Sequence, residues 1–187
     1  EVEIKFGIET DTGDIDGEII SKCSNNFNEV DFKSVLRQFK GSQRQIPPMF
    51  SALKIKGKPL YSWARKGVFL LRKERSIAIH EIELLDFGYD LVRLRVSCTK
   101  GTYIRSLAES IGRALNTKAI VFSLRRVGIG EIKSGDMINM PKGQFCDLSS
   151  SLLPSDFLLK HLSKAILDEE DAKKVRNGQS IDYNAQL

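Results

Sequence analysis

From its first residues the chain alternates: Val2, Ile4, Phe6 and Ile8 are apolar, and Glu1, Glu3, Lys5 and Gly7 stand between them. A period of two marks a strand with one buried face, so a strand is expected here. Asp16-Gly17 has hairpin-turn chemistry and leads into a second strand over 18–23. Phe32, Val35, Leu36 and Phe39 then recur at helical spacing behind Asp31, which is expected to cap a helix that stops at Gly41. Residues 60–66 read as a short helix carrying the single Trp63, expected in the core. Two longer β runs, 76–87 and 89–98, flank Gly88 and are predicted to pair as a hairpin. Just beyond them the period changes from two to 3.6, because Ile104, Leu107, Ala108, Ile111 and Leu115 share one helical face. Gly101 permits the turn and Thr102 is expected to cap that helix.

Further strand is expected over 119–127 and 130–133, and beyond Asp136 the pattern weakens to helical stretches within 158–175. The predicted fold class is α+β: a mixed, mostly antiparallel sheet flanked by helices. One domain is expected over 1–148, with a linker and appendage over 149–187. Because the chain opens inside a strand, without a cap or turn, it is expected to be a fragment.

Composition narrows the class. With 41% hydrophobic and 28% charged residues the chain reads as an ordinary globular protein. No apolar run approaches the ~20 residues of a membrane helix and no signal-peptide pattern is present, so a cytoplasmic protein without a membrane partner is expected. Cys23, Cys98 and Cys146 are widely spaced and unpaired in pattern, and the histidines are His80 and His161, which gives neither a disulfide framework nor a metal site.

Charge is more informative in its distribution than in its total of +5. Residues 1–32 hold nine acids and two bases; residues 33–75 hold twelve bases and one acid, Glu74. Such a block is the electrostatic footprint of a surface that contacts a phosphate backbone. Within it, 42–59 is expected to be a proline-stiffened loop in which Arg44, Lys54, Lys56 and Lys58 are interleaved with Pro47, Pro48, Met49 and Phe50; Arg65 and Lys66 follow. It reads either as a proline-anchored core loop with solvated lysines or as an RNA-contacting loop beside a base pocket. The acidic turn 11–18 is no calcium loop, since Asp16 and Lys22 stand where an EF-hand needs Gly and Glu.

The strand-to-helix junction is the candidate chemical centre. The first turn of the helix offers free backbone N–H groups, with Lys100, Tyr103 and Arg105 beside them, which suits an anion. That anion is either a phosphate or a carboxylate held by Arg105 in a two-pronged hydrogen bond.

Lys100-Gly101-Thr102-Tyr103-Ile104-Arg105 resembles the KGTYIR motif of the bacterial tRNA pseudouridine synthase B (TruB) family. Three further segments match in family order. Gly7-Ile8-Glu9-Thr10-Asp11-Thr12-Gly13-Asp14, with Asp16-Gly17, is similar to G-x-x-T-D-T-x-D-x-x-G. Pro47-Pro48-Met49-Phe50-Ser51-Ala52-Leu53-Lys54 is similar to P-P-x-(Y/F)-S-A-x-K, and Leu124-Arg125-Arg126 to the L-R-R strand. The family's nucleophile, an Asp in G-x-L-D-P-x-A-T-G, has no counterpart in these 187 residues.

The resemblance implies the pseudouridine synthase fold, with the start of a small PUA-like domain after 149, and a cleft bordered by Pro47 to Lys58 and the Tyr103 helix. It implies isomerisation of the T-arm uridine (uridine-55) of tRNA to pseudouridine by base flipping, without metal, nucleotide or redox cofactor. Tyr103 would lie against the flipped base and act in proton removal. Arg105 would pair with the Asp that this chain lacks, and so face an unfilled place. Leu124, Met49 and Phe50 would line the uridine pocket, with Lys100 and Lys54 as phosphate or pocket support. Arg44, Lys56, Lys58, Arg65 and Lys66 would contact RNA. The expected partner is the tRNA T stem-loop and the expected state a monomer. A noncatalytic RNA-binding module derived from the same fold is the alternative, and a phosphate-ester enzyme is disfavoured by the lack of a carboxylate cluster and a glycine-rich cradle.

Overall fold

The computed structural model describes residues 1–139, 149–159 and 162–182. Two compact units divide it, Glu1–Val127 and Gly128–Leu187. The boundary expected at 148, Cys146 and His161 lie outside the described residues.

The first unit is built on a five-stranded sheet. β1 (Val2–Phe6) pairs antiparallel with β8 (Leu91–Cys98) on one side and β9 (Ala119–Leu124) on the other; β7 (Arg75–Phe87) follows β8, and β4 (Gly41–Gln45) closes the far edge. All these pairings are antiparallel, as in the predicted α+β class. Gly88 donates its N–H back to Leu91 O at the tip of the expected β7–β8 hairpin. The alternation at the start of the chain has its physical meaning here. Val2, Ile4 and Phe6 face a core shared with Ile77, Ile79, Val92, Leu94 and Val121, while Glu1, Glu3 and Lys5 lie on the opposite face with Arg93, Arg95 and Ser123.

Two helices cover the apolar face. α1 (Glu29–Gln38) contributes Phe32, Val35 and Leu36, and α3 (Ile104–Ala114) contributes Leu107, Ala108 and Ile111. Phe32 packs edge-on against Phe6 at 5.8 Å between ring centroids, a favoured aromatic geometry. α3 approaches β9 so closely that a Cβ on Gly112 would lie 2.8 Å from the Ala119 Cβ. A smaller cluster, Met49, Leu60 and Ala64 with Trp63 partly buried against it, lies under the loop that follows β4, where α2 (Leu60–Ala64) is shorter than the expected helix.

Several local expectations are corrected. Asn28, three residues before Asp31, caps α1: its side chain accepts from Val30 N and Asp31 N, and Asp31 bonds back to Asn28 N in a capping box. Thr102 does not cap α3; its hydroxyl donates to Thr99 O, and the cap position belongs to Tyr103. The stretch 42–59 is not all loop. Its start is strand β4, and its end is a hairpin of β5 (Lys54–Ile55) and β6 (Lys58–Pro59), turned by Lys56 and Gly57, both at positive φ. The strand expected over 18–23 is β3 (Ile19–Lys22), paired with β2 (Ile8–Thr10).

In the second unit, a two-stranded hairpin, β10 (Gly128–Ile129) and β11 (Ile132–Lys133), precedes short 3-10 turns and α4 (Glu169–Arg176), capped by Asp168. No described helix is long and apolar enough to cross a membrane.

Candidate active site

Arg105 ties three remote segments together. It sits in the first turn of α3, and its guanidinium donates from Nη1 to Thr12 O at 3.0 Å and to Asp14 Oδ2 at 3.0 Å, and from Nη2 to Phe50 O at 2.6 Å. Arg105 therefore has a carboxylate partner within the described residues, Asp14, where an unfilled place was expected, and part of its guanidinium stays uncommitted. Both side chains are largely withdrawn from solvent, at 23% and 26% exposure, so the pair is screened less than a surface ion pair.

The turn after β2 presents Asp14 in that position. Thr10 donates its hydroxyl to Asp14 O, and Thr12 donates its hydroxyl to Asp14 Oδ1 at 2.5 Å, so both carboxylate oxygens are engaged. Asp14 also bridges to Val121, which anchors the turn to the sheet. Gly13 is required at the centre: its φ is +76°, and a Cβ there would lie 2.7 Å from Glu109 Oε1. Glu109 stands one helical turn beyond Arg105. Burial pushes its carboxyl pKa up, and Arg113 pulls against that.

Tyr103 immediately precedes α3 and is partly buried. Both its backbone polar groups meet one side chain from β4: Gln45 Oε1 accepts from Tyr103 N at 2.8 Å and Gln45 Nε2 donates to Tyr103 O at 3.0 Å. The Ser106 hydroxyl donates to Ile46 O, a second stitch between the end of β4 and the start of α3. The end of β4 and the following proline-rich loop are thus joined to the Tyr103 helix by polar contacts from Gln45, Ile46 and Phe50.

The family model for the N-terminal domain of TruB family pseudouridylate synthase matches residues 1–104, more than half of the chain. The chain belongs to the TruB family. It is 39% identical over 190 residues to tRNA pseudouridine synthase B of Dechloromonas aromatica, an alignment covering 100% of this chain and 64% of that protein. The same-named protein of Alkaliphilus oremlandii is 39% identical over 183 residues, covering 97% and 61%. That of Bordetella avium is 48% identical over 130 residues, covering 68% and 53%. The chain thus spans less than two thirds of the length of these curated relatives. Among solved structures, a Cbf5-Nop10-Gar1 complex matches with a TM-score of 0.50 and 26% identity, over 73% of this chain and 32% of that one. That likeness agrees with the pseudouridine synthase fold.

The remaining residues singled out in this TruB-family chain are spread more widely. Lys100 is exposed in the turn before α3. Lys54, Lys56 and Lys58 are exposed along the β5–β6 hairpin, and Lys58 Nζ stands 5.7 Å from the Trp63 ring centroid. Arg65 stacks over Tyr61, and Lys66 is exposed beside it. Arg44 pairs with Glu74, both well exposed. Met49, 5% exposed, is core of the smaller cluster, whereas Phe50 gives its carbonyl to Arg105. Leu124 closes β9 opposite Val2 and is 57% exposed. It stands roughly 10 Å along the strand from Val121, the neighbour of Asp14. Among the described residues no group of His, Cys, Asp and Glu could hold a metal ion.

Sequence reasoning assigned no role to Asp14, Thr12, Gln45 or Glu109. Asp14 had a signal, since it stands in a quoted motif, but its partner is distant in sequence. Gln45 had none, because one Gln before a proline pair carries no pattern.

Proposed function

We propose that this chain serves a tRNA pseudouridine synthase that converts the T-arm uridine (uridine-55) to pseudouridine. The observation that supports this reading best is Arg105, held in one pose by Thr12, Asp14 and Phe50 directly beside Tyr103. These contacts use three of the five guanidinium N–H donors and leave two for a further acceptor, which suits the carboxylate of the family's nucleophilic Asp.

In the reaction the N1–C1′ bond breaks, the base turns, and a C5–C1′ bond forms; C5 gives up a proton and N1 gains one, so no oxidant or co-reactant is consumed. Tyr103 would lie against the flipped base and take part in removing the C5 proton. Flipping costs a few kcal/mol, offset by stacking and by phosphate contacts from the basic hairpin 54–58 and from Arg65, Lys66 and Arg44. Lys100 and Lys54 support the phosphate or the pocket, and Met49, Phe50 and Leu124 are its apolar candidates. The finer reading is a cytoplasmic monomer acting on the T stem-loop, a catalytic domain over 1–148, and a PUA-like segment in 149–187.

A second reading, a noncatalytic RNA-binding module, draws on the Arg105–Asp14 pair, because the carboxylate partner of Arg105 is supplied within residues 1–187. One experiment separates the two. Residues 1–187 are expected to bind T-arm RNA with strong salt dependence and to form no pseudouridine. A fusion that supplies the family's G-x-L-D-P-x-A-T-G segment ahead of Glu1 is expected to turn over. In that fusion Arg105→Ala should depress rate far more than RNA affinity. Turnover by residues 1–187 alone would overturn the site assignment, and an inactive, RNA-binding fusion would favour the module.

A further inference from the structure

We infer that Gln45 is a positioning residue that fixes Tyr103 through its backbone. Gln45 ends β4 and is 8% exposed, so its amide must find partners inside the protein. It finds both on one residue, accepting from Tyr103 N at 2.8 Å and donating to Tyr103 O at 3.0 Å. The amide orientation follows from these partners, since an N–H needs the oxygen and a carbonyl needs the NH2 group.

The need for such a clamp lies in the helix end. As the residue at the cap position of α3, Tyr103 has an N–H without an intrahelical acceptor, and its own side chain makes no capping bond. Its carbonyl already accepts the first helical bond, from Leu107 N at 3.1 Å. The side-chain amide of Gln45 behaves as a strand partner one residue long and holds Tyr103 at φ −97° and ψ 111°, outside the helical region. The direction in which the phenol leaves the backbone is thereby set from β4, not from the Tyr103 ring. Ser106 bonding to Ile46 O keeps the two elements in register one residue further on.

Chemistry restricts what can replace Gln45. A carboxylate has two acceptors and no donor, so one oxygen would meet Tyr103 O without a proton between them. A protonated carboxyl restores one donor and one acceptor. Gln45→Glu is therefore a pH-dependent version of the clamp, and Gln45→Met removes it at similar length. That Tyr103 is catalytic rests on the function proposed above; the clamp does not.

The test has two arms. In residues 1–187, NMR hydrogen exchange at the Tyr103 amide should accelerate about tenfold or more in Gln45→Met, with the amides of Ile4 and Val92 unchanged. Gln45→Glu should match Gln45→Met once its carboxyl is ionised and recover protection as pH falls through the carboxyl pKa, which burial and the facing Tyr103 carbonyl hold above the ordinary ~4.3. In the Asp-supplying fusion, Gln45→Glu should lower kcat on the order of 10-fold to 100-fold with little change in KM, less so at acidic pH relative to the parent fusion. Unchanged Tyr103 exchange in Gln45→Met, or a Tyr103 protection factor in Gln45→Glu that does not change with pH, overturns the clamp. Should Gln45→Met fail to fold, the pH response of Gln45→Glu decides alone. A fusion with native Gln45 that makes no pseudouridine counts against the proposed function, and the exchange arm still decides the clamp.

Discussion

Replacing Asp14 probes the most connected contact in the candidate site. Asp14→Ala removes the ion pair and the acceptor of the Thr12 hydroxyl, and leaves Arg105 with two carbonyl partners, Thr12 O and Phe50 O. An exposed pair would be worth ~0.2–1 kcal/mol, and breaking a fully buried one ~3–5 kcal/mol. At 23% and 26% exposure the Arg105–Asp14 pair lies between, and its retained carbonyl contacts lessen the loss. A destabilisation of about 2 kcal/mol is expected, in the range of hydrogen bonds to charged groups. For a chain of this size that is a Tm decrease of roughly 4–8 °C. Urea unfolding followed by the fluorescence of Trp63, the single tryptophan, reports on the first unit. A double-mutant cycle with Arg105→Met isolates the pair, with a coupling of about 1 kcal/mol or more expected. Coupling below about 0.3 kcal/mol would show that the two side chains are merely adjacent and that carbonyl contacts alone hold Arg105.

Two further perturbations test the surrounding structure. Burial raises the Glu109 pKa above its unfolded value, so the stability it contributes is full below about pH 4 and is lost as pH rises through the folded value. Glu109→Gln should remove that loss, and its Tm relative to the parent should rise between pH 4 and pH 7; parallel pH profiles would refute the assignment. Gly112→Ala would place a Cβ 2.8 Å from the Ala119 Cβ and 2.9 Å from its backbone N, so α3 must move off β9. Overpacking of this kind costs ~1–3 kcal/mol, and an alanine variant as stable as the parent in thermal unfolding would show that the contact yields.

The parts of the fold legible in the sequence are those with a local period. Val2, Ile4 and Phe6 announce a one-sided strand, and Ile104, Leu107, Ala108 and Ile111 a one-sided helix, because burial of one face repeats with backbone geometry. Errors gathered at element ends, where one hydrogen bond decides. Asn28 outcompeted Asp31 as a cap, and Thr102 turned its hydroxyl to Thr99 O while Gln45 took up the Tyr103 N–H. The hairpin at Lys56-Gly57 escaped notice because its strands are two residues each.

Motif spelling in the chain was enough to establish the TruB family and to single out Tyr103 and Arg105. It could not say what those residues touch. The partners of Arg105 lie 91, 93 and 55 residues away along the chain, and Gln45 is 58 residues from Tyr103. Periodicity carries information over a turn or two of backbone. Whether a guanidinium meets a carboxylate, or a buried amide meets a helix end, depends on strand order and on how α3 seats against β4, β9 and the turn after β2. Those relations exist only once the apolar faces have packed, and this packing is what places Asp14 against Arg105.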